Sequence, residues 1–227
     1  MAKRPIFIPI NKSEEFVKQE EIEFSWSAGF AKIQKQKSIK SLHEKAKQKL
    51  NLENILEISS KSNEEVGILA SAFNLKFSWK NKISSIESFF QGSKVFKHGG
   101  PYIDLYDVNS KKAKKDKRIK ESGNLLGFSF FGEDWTLQDD FYTWIYLVGL
   151  FQNKTISEKI LNYEAFTDIE FNTKKSFNCQ AYSAAFYVSM VKNKKMGLNQ
   201  IQSPAYFKEI SPKKEVKNFQ PELLWKK

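Results

Sequence analysis

Histidine and cysteine are scarce in this chain, and their scarcity removes whole classes of chemistry. Among 227 residues there are two histidines, His43 and His98, and one cysteine, Cys179. Neither histidine has a second donor at ligand spacing, so a zinc site of nitrogen and sulfur ligands is excluded, and neither metal nor other cofactor is expected. A lone cysteine cannot form an internal disulfide, which fits a reducing compartment and makes the cytoplasm the expected location. Its setting, FNCQA, offers no adjacent histidine to activate the thiol, so a buried structural role is expected for it. There is no Walker motif, no G-x-G-x-x-G and no G-x-S-x-G, and their chemistries drop out with them. Long apolar runs are missing too. The longest, Tyr142–Phe151, falls well short of the roughly 20 residues that span a bilayer. The opening MAKRPIFIPI is too short in apolar residues for a signal peptide. Neither secretion nor membrane insertion is expected.

Arginine is the last absence, with only Arg4 and Arg118 present. Bidentate reading of guanine in a duplex groove is therefore disfavoured, while attraction to a phosphate backbone is not. The cations are almost all lysine and give a formal net charge of +11 and a pI near 9.4. Such a field favours polyanions such as nucleic acid, although a lysine-rich coding bias would produce the same composition. Aromatic residues make up 15% of the chain, far more than a disordered polypeptide carries. With 41% hydrophobic residues, the length suits one well-filled core with decorated ends.

The apolar pattern predicts a mainly helical α+β domain with small β elements. Residues 1–54 read as an extension of short strands, from PIFIPI and from Ile22, Phe24 and Trp26, followed by a basic helix between Phe30 and Leu50. The lysine face of that helix suits either nucleic acid or plain solvent. Residues 55–196 read as the core and 197–227 as an appendage docked through Leu223, Leu224 and Trp225. Within the core, Ile55–Ser62 suggests a strand and polar turn, and Gly67–Trp79 has β character. Helices dominate from there on. Ser84 or Ser85 caps a helix through about His98, stopped by Gly99, Gly100 and Pro101. Ser110–Glu121 is a lysine-heavy helix or loop. Leu137–Asn153 is apolar nearly all round and is expected to be a buried central helix. Helices near Thr155–Tyr163 and from Asn178 to Lys192 complete the set.

On the predicted helix SIESFFQGSKVF, Glu87, Gln91 and Lys94 fall at i, i+4 and i+7, in one stripe flanked by Ile86, Phe89, Phe90, Val95 and Phe96. A glutamate and a lysine among core side chains perturb each other's protonation, as groups in active sites do. The same spacing also serves an ordinary structural Glu–Lys helix pair.

The stripe has companions in a fixed order. Ser71, Ala72, Phe73 and Asn74 precede it; Asp134 and Trp135 come next, ahead of the segment ending Phe151, Gln152 and Asn153; Asp168 and Asn178 follow in a late loop and helix start. This ordered set, from about Ile55 to Lys192, resembles the NADAR (YbiA-like) family. The chain departs from the family where Asp168-Ile169-Glu170-Phe171 replaces the usual D-x-W-G, and where the glycine before Asn178 and the usual arginines are missing. In its decorated ends it is similar to the branch of NADAR proteins that act as antitoxins to DarT-type toxins.

The resemblance implies a glycohydrolase that removes ADP-ribose from guanine bases of single-stranded DNA, with the toxin as functional partner and ADP-ribose as product. It implies Lys94 as nucleophile through a Schiff base, with Glu87 and Asp168 dividing proton transfer and ribose positioning. A carboxylate activating water directly, with Lys94 only pairing to an anion, is the competing mechanism. Gln91, Phe73, Asn74, Ser60, Lys61, Trp135 and Asn178 are the candidate substrate-binding residues. For Trp135 a core position competes with base stacking, and for Asn178 a capping role competes with ligand contact. The family's activity on small N-glycosides, and a non-catalytic module binding ADP-ribose, DNA or the toxin, are the alternative functions.

Overall fold

The computed structural model describes residues 1–10, 15–171, 179–193 and 198–213, with no side-chain description for 198 and 199. In chain order its elements are β1 (Ala2–Pro9), β2 (Val17–Phe24), α1 (Lys32–Leu50), β3 (Ile55–Glu57), α2 (Glu65–Leu69), β4 (Lys76–Trp79), β5 (Lys82–Ser85) and α3 (Ile86–Gly92). There follow β6 (Lys94–Phe96), a 3-10 turn (Ile103–Asp107), α4 (Ser110–Lys115), α5 (Arg118–Glu121), β7 (Leu125–Phe130) and β8 (Glu133–Thr136). Last come α6 (Phe141–Gln152), α7 (Lys154–Ile160), β9 (Ala165–Thr167), α8 (Gln180–Lys192), α9 (Leu198–Ile201) and α10 (Pro204–Ile210). The α+β class is as the sequence suggested. The chain divides into two compact units, Met1–Ser71 with Asn153–Gly197, and Ala72–Gln152 with Leu198–Lys227.

The first unit is built on a four-stranded sheet in the order β2-β1-β9-β3. β1 and β2 pair antiparallel over eight residues, from Ala2↔Phe24 to Pro9↔Val17, and β9 runs parallel to β3 with Glu57↔Thr167 in register. Ile6, Ile22 and Phe24 meet Ile39, Leu42 and Ala46 of α1 in one dry cluster. Phe7, the next residue, faces the other side of the pleat, where Tyr182 of α8 meets it edge-on at 5.8 Å. The lysines of α1 are thus left outside because the helix spends its apolar stripe on the sheet.

The second unit centres on α6, which has no charged residue and is buried from Phe141 to Leu150. Asp140 accepts a hydrogen bond from the Thr143 amide at 3.2 Å and so closes its first turn. At Gly149 a Cβ would lie 2.8 Å from Ile86 Cδ1, so the bare backbone lets α3 pack closely. Phe89 and Phe130 meet edge-on at 5.3 Å in the aromatic core of this unit.

Two expectations need correction here. The helix begun at Ser85 stops at Gly92 rather than His98, because the next residues are claimed by β7, with Lys94↔Phe128 in register. Helices dominate after Trp79 as expected, but strands are interleaved with them: β4 pairs β5, and β6, β7 and β8 form a three-stranded sheet. Within Gly67–Trp79 the β character is confined to β4, while Glu65–Leu69 is helical. The proposed docking of Leu223, Leu224 and Trp225 lies outside the described residues. Among those described, no helix is long and apolar enough to cross a membrane.

Candidate active site

All seven residues of α3 are buried, so its two long polar side chains, Glu87 and Gln91, must find partners inside the protein. They find each other. Gln91 Nε2 donates to Glu87 Oε1 at 2.9 Å, and Lys94 Nζ donates to Gln91 Oε1 at 2.8 Å. The three residues form one hydrogen-bonded chain although Lys94 stands on β6 rather than on the helix. The strand start is tied to β7, since the Ser93 carbonyl accepts the Ser129 amide at 2.8 Å. Lys94 Nζ also sits over the Phe90 ring, 4.8 Å from its centroid.

The surroundings of Lys94 ease the loss of its proton. Burial disfavours the ammonium and brings the group down to about 8, against the pull of the Glu87 carboxylate and with help from the Lys114 charge. Lys114 Nζ lies 3.8 Å from Glu87 Oε1 and 5.0 Å from the centroid of Phe73. Glu87 therefore shares its charge with an exposed lysine on one side and an amide on the other. Phe73 is held through its carbonyl oxygen, which accepts the Ser110 hydroxyl at 2.7 Å, and Asn74 beside it is exposed. Trp135 shares this unit but is 2% exposed. Trp144 covers it at 4.8 Å and Lys208 Nζ lies over its ring at 4.5 Å, so it packs the core and offers no platform to a ligand.

The remaining candidates belong to the first unit. Because β3 and β9 run parallel, their C-terminal ends bring Glu57 beside Asp168. Glu57 is 1% exposed and accepts the Ile169 amide at 2.9 Å and the Thr167 hydroxyl at 2.7 Å. Burial, followed by the nearby Asp168 charge, raises Glu57 well above the usual carboxylate range. Asp168 accepts the Glu170 amide and Gln180 Nε2, each at 3.0 Å. His43 Nε2 lies 2.8 Å from Thr167 Oγ1; burial, then the Lys47 charge, lowers it to about 4 and leaves it neutral. Ser60 is exposed and Lys61 half-buried, with the Lys61 amide donating to Ser59 Oγ at 3.1 Å. Asn178 lies outside the described residues. Cys179 is a buried free thiol whose ionisation burial suppresses.

Glu87, Gln91, Lys94 and Phe73 are thus assembled in one unit, and Ser60, Lys61 and Asp168 in the other. Sequence reasoning overlooked Glu57 and Lys114. Glu57 left a trace as the one charge inside the apolar run Ile55–Ile58, whereas Lys114 is indistinguishable from its lysine neighbours. Among the described residues no group of three or more His, Cys, Asp or Glu side chains could hold a metal ion.

A family model described as DarT1-associated NADAR antitoxin (NADAR-DarT1) matches residues 2–221. The chain belongs to this family. The match takes in both ends of this NADAR antitoxin-family chain as well as the stripe, and the family description associates it with the DarT1 toxin. No curated protein matches it.

Proposed function

We propose that this NADAR-family chain is an N-glycosidase that removes ADP-ribose from guanine bases of single-stranded DNA and thereby acts as antitoxin to a DarT1-type toxin. The observation that carries the reading is the Glu87–Gln91–Lys94 hydrogen-bonded chain, which holds a half-buried amine beside a carboxylate. Family membership supports it.

In the reaction, the neutral Lys94 amine attacks the anomeric carbon of the ribose. The bond to guanine breaks, its electron pair leaves with the base, and the base takes up a proton. Opening of the sugar ring gives a Schiff base to Lys94, which water hydrolyses to free ADP-ribose and the amine. With a pKa about 8, roughly a tenth of Lys94 is in the attacking form at pH 7. Glu87 accepts and returns the protons, and Gln91 fixes the direction of the Lys94 amine.

The test is incubation of the protein with single-stranded DNA carrying ADP-ribosylated guanine, with and without cyanoborohydride. Release of ADP-ribose, and a reduced sugar adduct mapped to Lys94, is the expected result; Lys94→Ala should release none. A wild-type protein that releases no ADP-ribose refutes the activity. Release without any trapped adduct refutes the Schiff base and leaves water activated by a carboxylate.

A further inference from the structure

The sequence from Lys111 to Lys120 places seven cations against one acid, Asp116, and the catalytic reading above makes no use of them beyond Lys114. Their arrangement follows from α4. Ser110 and Ala113 are its buried residues, and Lys111, Lys112, Lys114 and Lys115 are exposed. The helix is fastened to the candidate site at two points. The Ser110 hydroxyl lies 2.8 Å from that of Ser85, which caps α3 by accepting the Ser88 amide. Lys114 reaches Glu87 itself. A short, rigidly held basic helix therefore begins where the Glu87–Gln91–Lys94 chain ends.

The charges on this segment are not equally available. Arg118 is engaged with Asp104 and Asp116, and Lys114 with Glu87. Lys111, Lys112, Lys115 and Lys117 are exposed and make no ion pair among the described residues. The α1 helix in the other unit also has engaged lysines, Lys35 with Glu170 and the Trp26 ring, Lys40 with Glu44 and Lys49 with the Glu21 carbonyl, and exposed ones, Lys32, Lys37, Lys45 and Lys47, but these belong to the unit that does not contain Lys94.

We infer that Lys111, Lys112, Lys115 and Lys117 form a docking rail for the phosphate backbone of single-stranded nucleic acid, beside the Glu87–Gln91–Lys94 site. The inference rests on the proposed function, which supplies a nucleic-acid substrate for this unit. Lysines are mobile point charges without the planar fork of arginine, and so suit a flexible backbone rather than a particular base. The outer face of α4 carries no apolar residue, which a membrane-seated helix would require. Phe73, half-buried under Lys114, is the adjacent ring on which a base leaving the strand could stack.

Fluorescence anisotropy with a labelled, unmodified single-stranded oligonucleotide tests the rail on the full chain without requiring catalysis. Neutralising the four lysines together (K111Q/K112Q/K115Q/K117Q) should weaken binding at least about tenfold at low salt. It should also flatten the dependence of log Kd on log salt by about 2 to 3, as loss of four backbone contacts predicts. The matched α1 variant (K32Q/K37Q/K45Q/K47Q) should bind within about twofold of wild type. Thermal melts that coincide with wild type show that both variants fold. Wild-type affinity and salt slope in the α4 variant, or wild-type protein that does not bind the oligonucleotide, would overturn the rail. Oligonucleotide binding that follows these expectations, in a protein that releases no ADP-ribose, refutes the proposed activity and leaves the rail standing. Release of ADP-ribose by wild type together with unaltered binding by the α4 variant does the reverse.

Discussion

The Glu87–Gln91–Lys94 chain and the Glu57–Asp168 pair are two polar clusters buried to a similar depth, with Glu87 at 6% and Asp168 at 8% exposure, but they are built from opposite charges. In the first, a lysine has a carboxylate one amide away and a second lysine beyond it. In the second, two carboxyl groups lie together and are met by two backbone amides, a hydroxyl and a glutamine. Desolvation acts on both and drives each towards its neutral form, lowering Lys94 and raising Glu57. The chemical outcome differs because neutrality frees the lone pair of an amine for attack, whereas it leaves a carboxyl group a proton donor without nucleophilic character. Burial alone does not mark a catalytic group; the form that burial selects does.

The largest effect that could break this contrast is expected at Lys94. Lys94→Arg keeps the positive charge and much of the stem but cannot lose a proton near neutrality, so ADP-ribose release should fall by about 10³-fold or more. A variant that releases ADP-ribose at an appreciable rate would return Lys94 to anion binding.

An intermediate effect is expected at Glu57, in stability rather than turnover. Glu57→Ala strands the Ile169 amide and the Thr167 hydroxyl in a dry site and should cost about 2 to 4 kcal/mol, whereas Glu57→Gln keeps an acceptor and should cost far less. The folded chain holds a proton on Glu57 that the unfolded chain gives up above its ordinary value of 4.5. Stability should therefore fall as pH rises from 4.5 through neutrality, and Glu57→Gln should remove that part of the slope in urea unfolding at pH 5 and 8. Lys94 contributes with the opposite sign and in another window: between about 8 and 10.5 the unfolded chain binds more protons, and stability rises with pH. An unchanged slope in Glu57→Gln would show that Glu57 is not held neutral.

The smallest effect sharpens the contrast from within the lysine cluster. Lys114→Gln removes a charge that lowers Lys94, so the acid limb of the pH–rate profile should move to higher pH. Release at pH 7 should drop about two- to threefold and recover at pH 9. A uniform loss across the profile would instead place Lys114 in substrate binding.

Much of this was legible in order along the chain. The alternation of Ile22 and Phe24 gave β2, the spacing of Ile39, Leu42 and Ala46 gave α1, and the apolar run from Phe141 gave α6. Ser85, Glu87 and Gln91 located α3 and two members of the site. What escaped was set by partners distant in sequence. Lys94–Phe96 reads as the last turn of a helix until β7 pairs with it, and Tyr106, fourteen residues beyond Gly92, fills the space a side chain there would need. The β7–β8 hairpin turns through Phe131 and Gly132 with φ of 50° and 86°, and phenylalanine there gives none of the usual turn signal. Glu57 acquires its meaning from Thr167 and Asp168, more than a hundred residues away. Trp135 could be read two ways until Trp144 and Lys208 were seen on its ring.

The position of Lys94 on a strand rather than on a helix end has one more consequence. Its backbone is paired to Phe128, and the carbonyl just before it is bound by Ser129, so the residue has only its own side chain with which to reach outward. On the proposed chemistry the protein has no arm to send into a stacked helix. The strand must bring its modified sugar to a stationary amine, and the adducts removed fastest will be those whose base already hangs free of its neighbours.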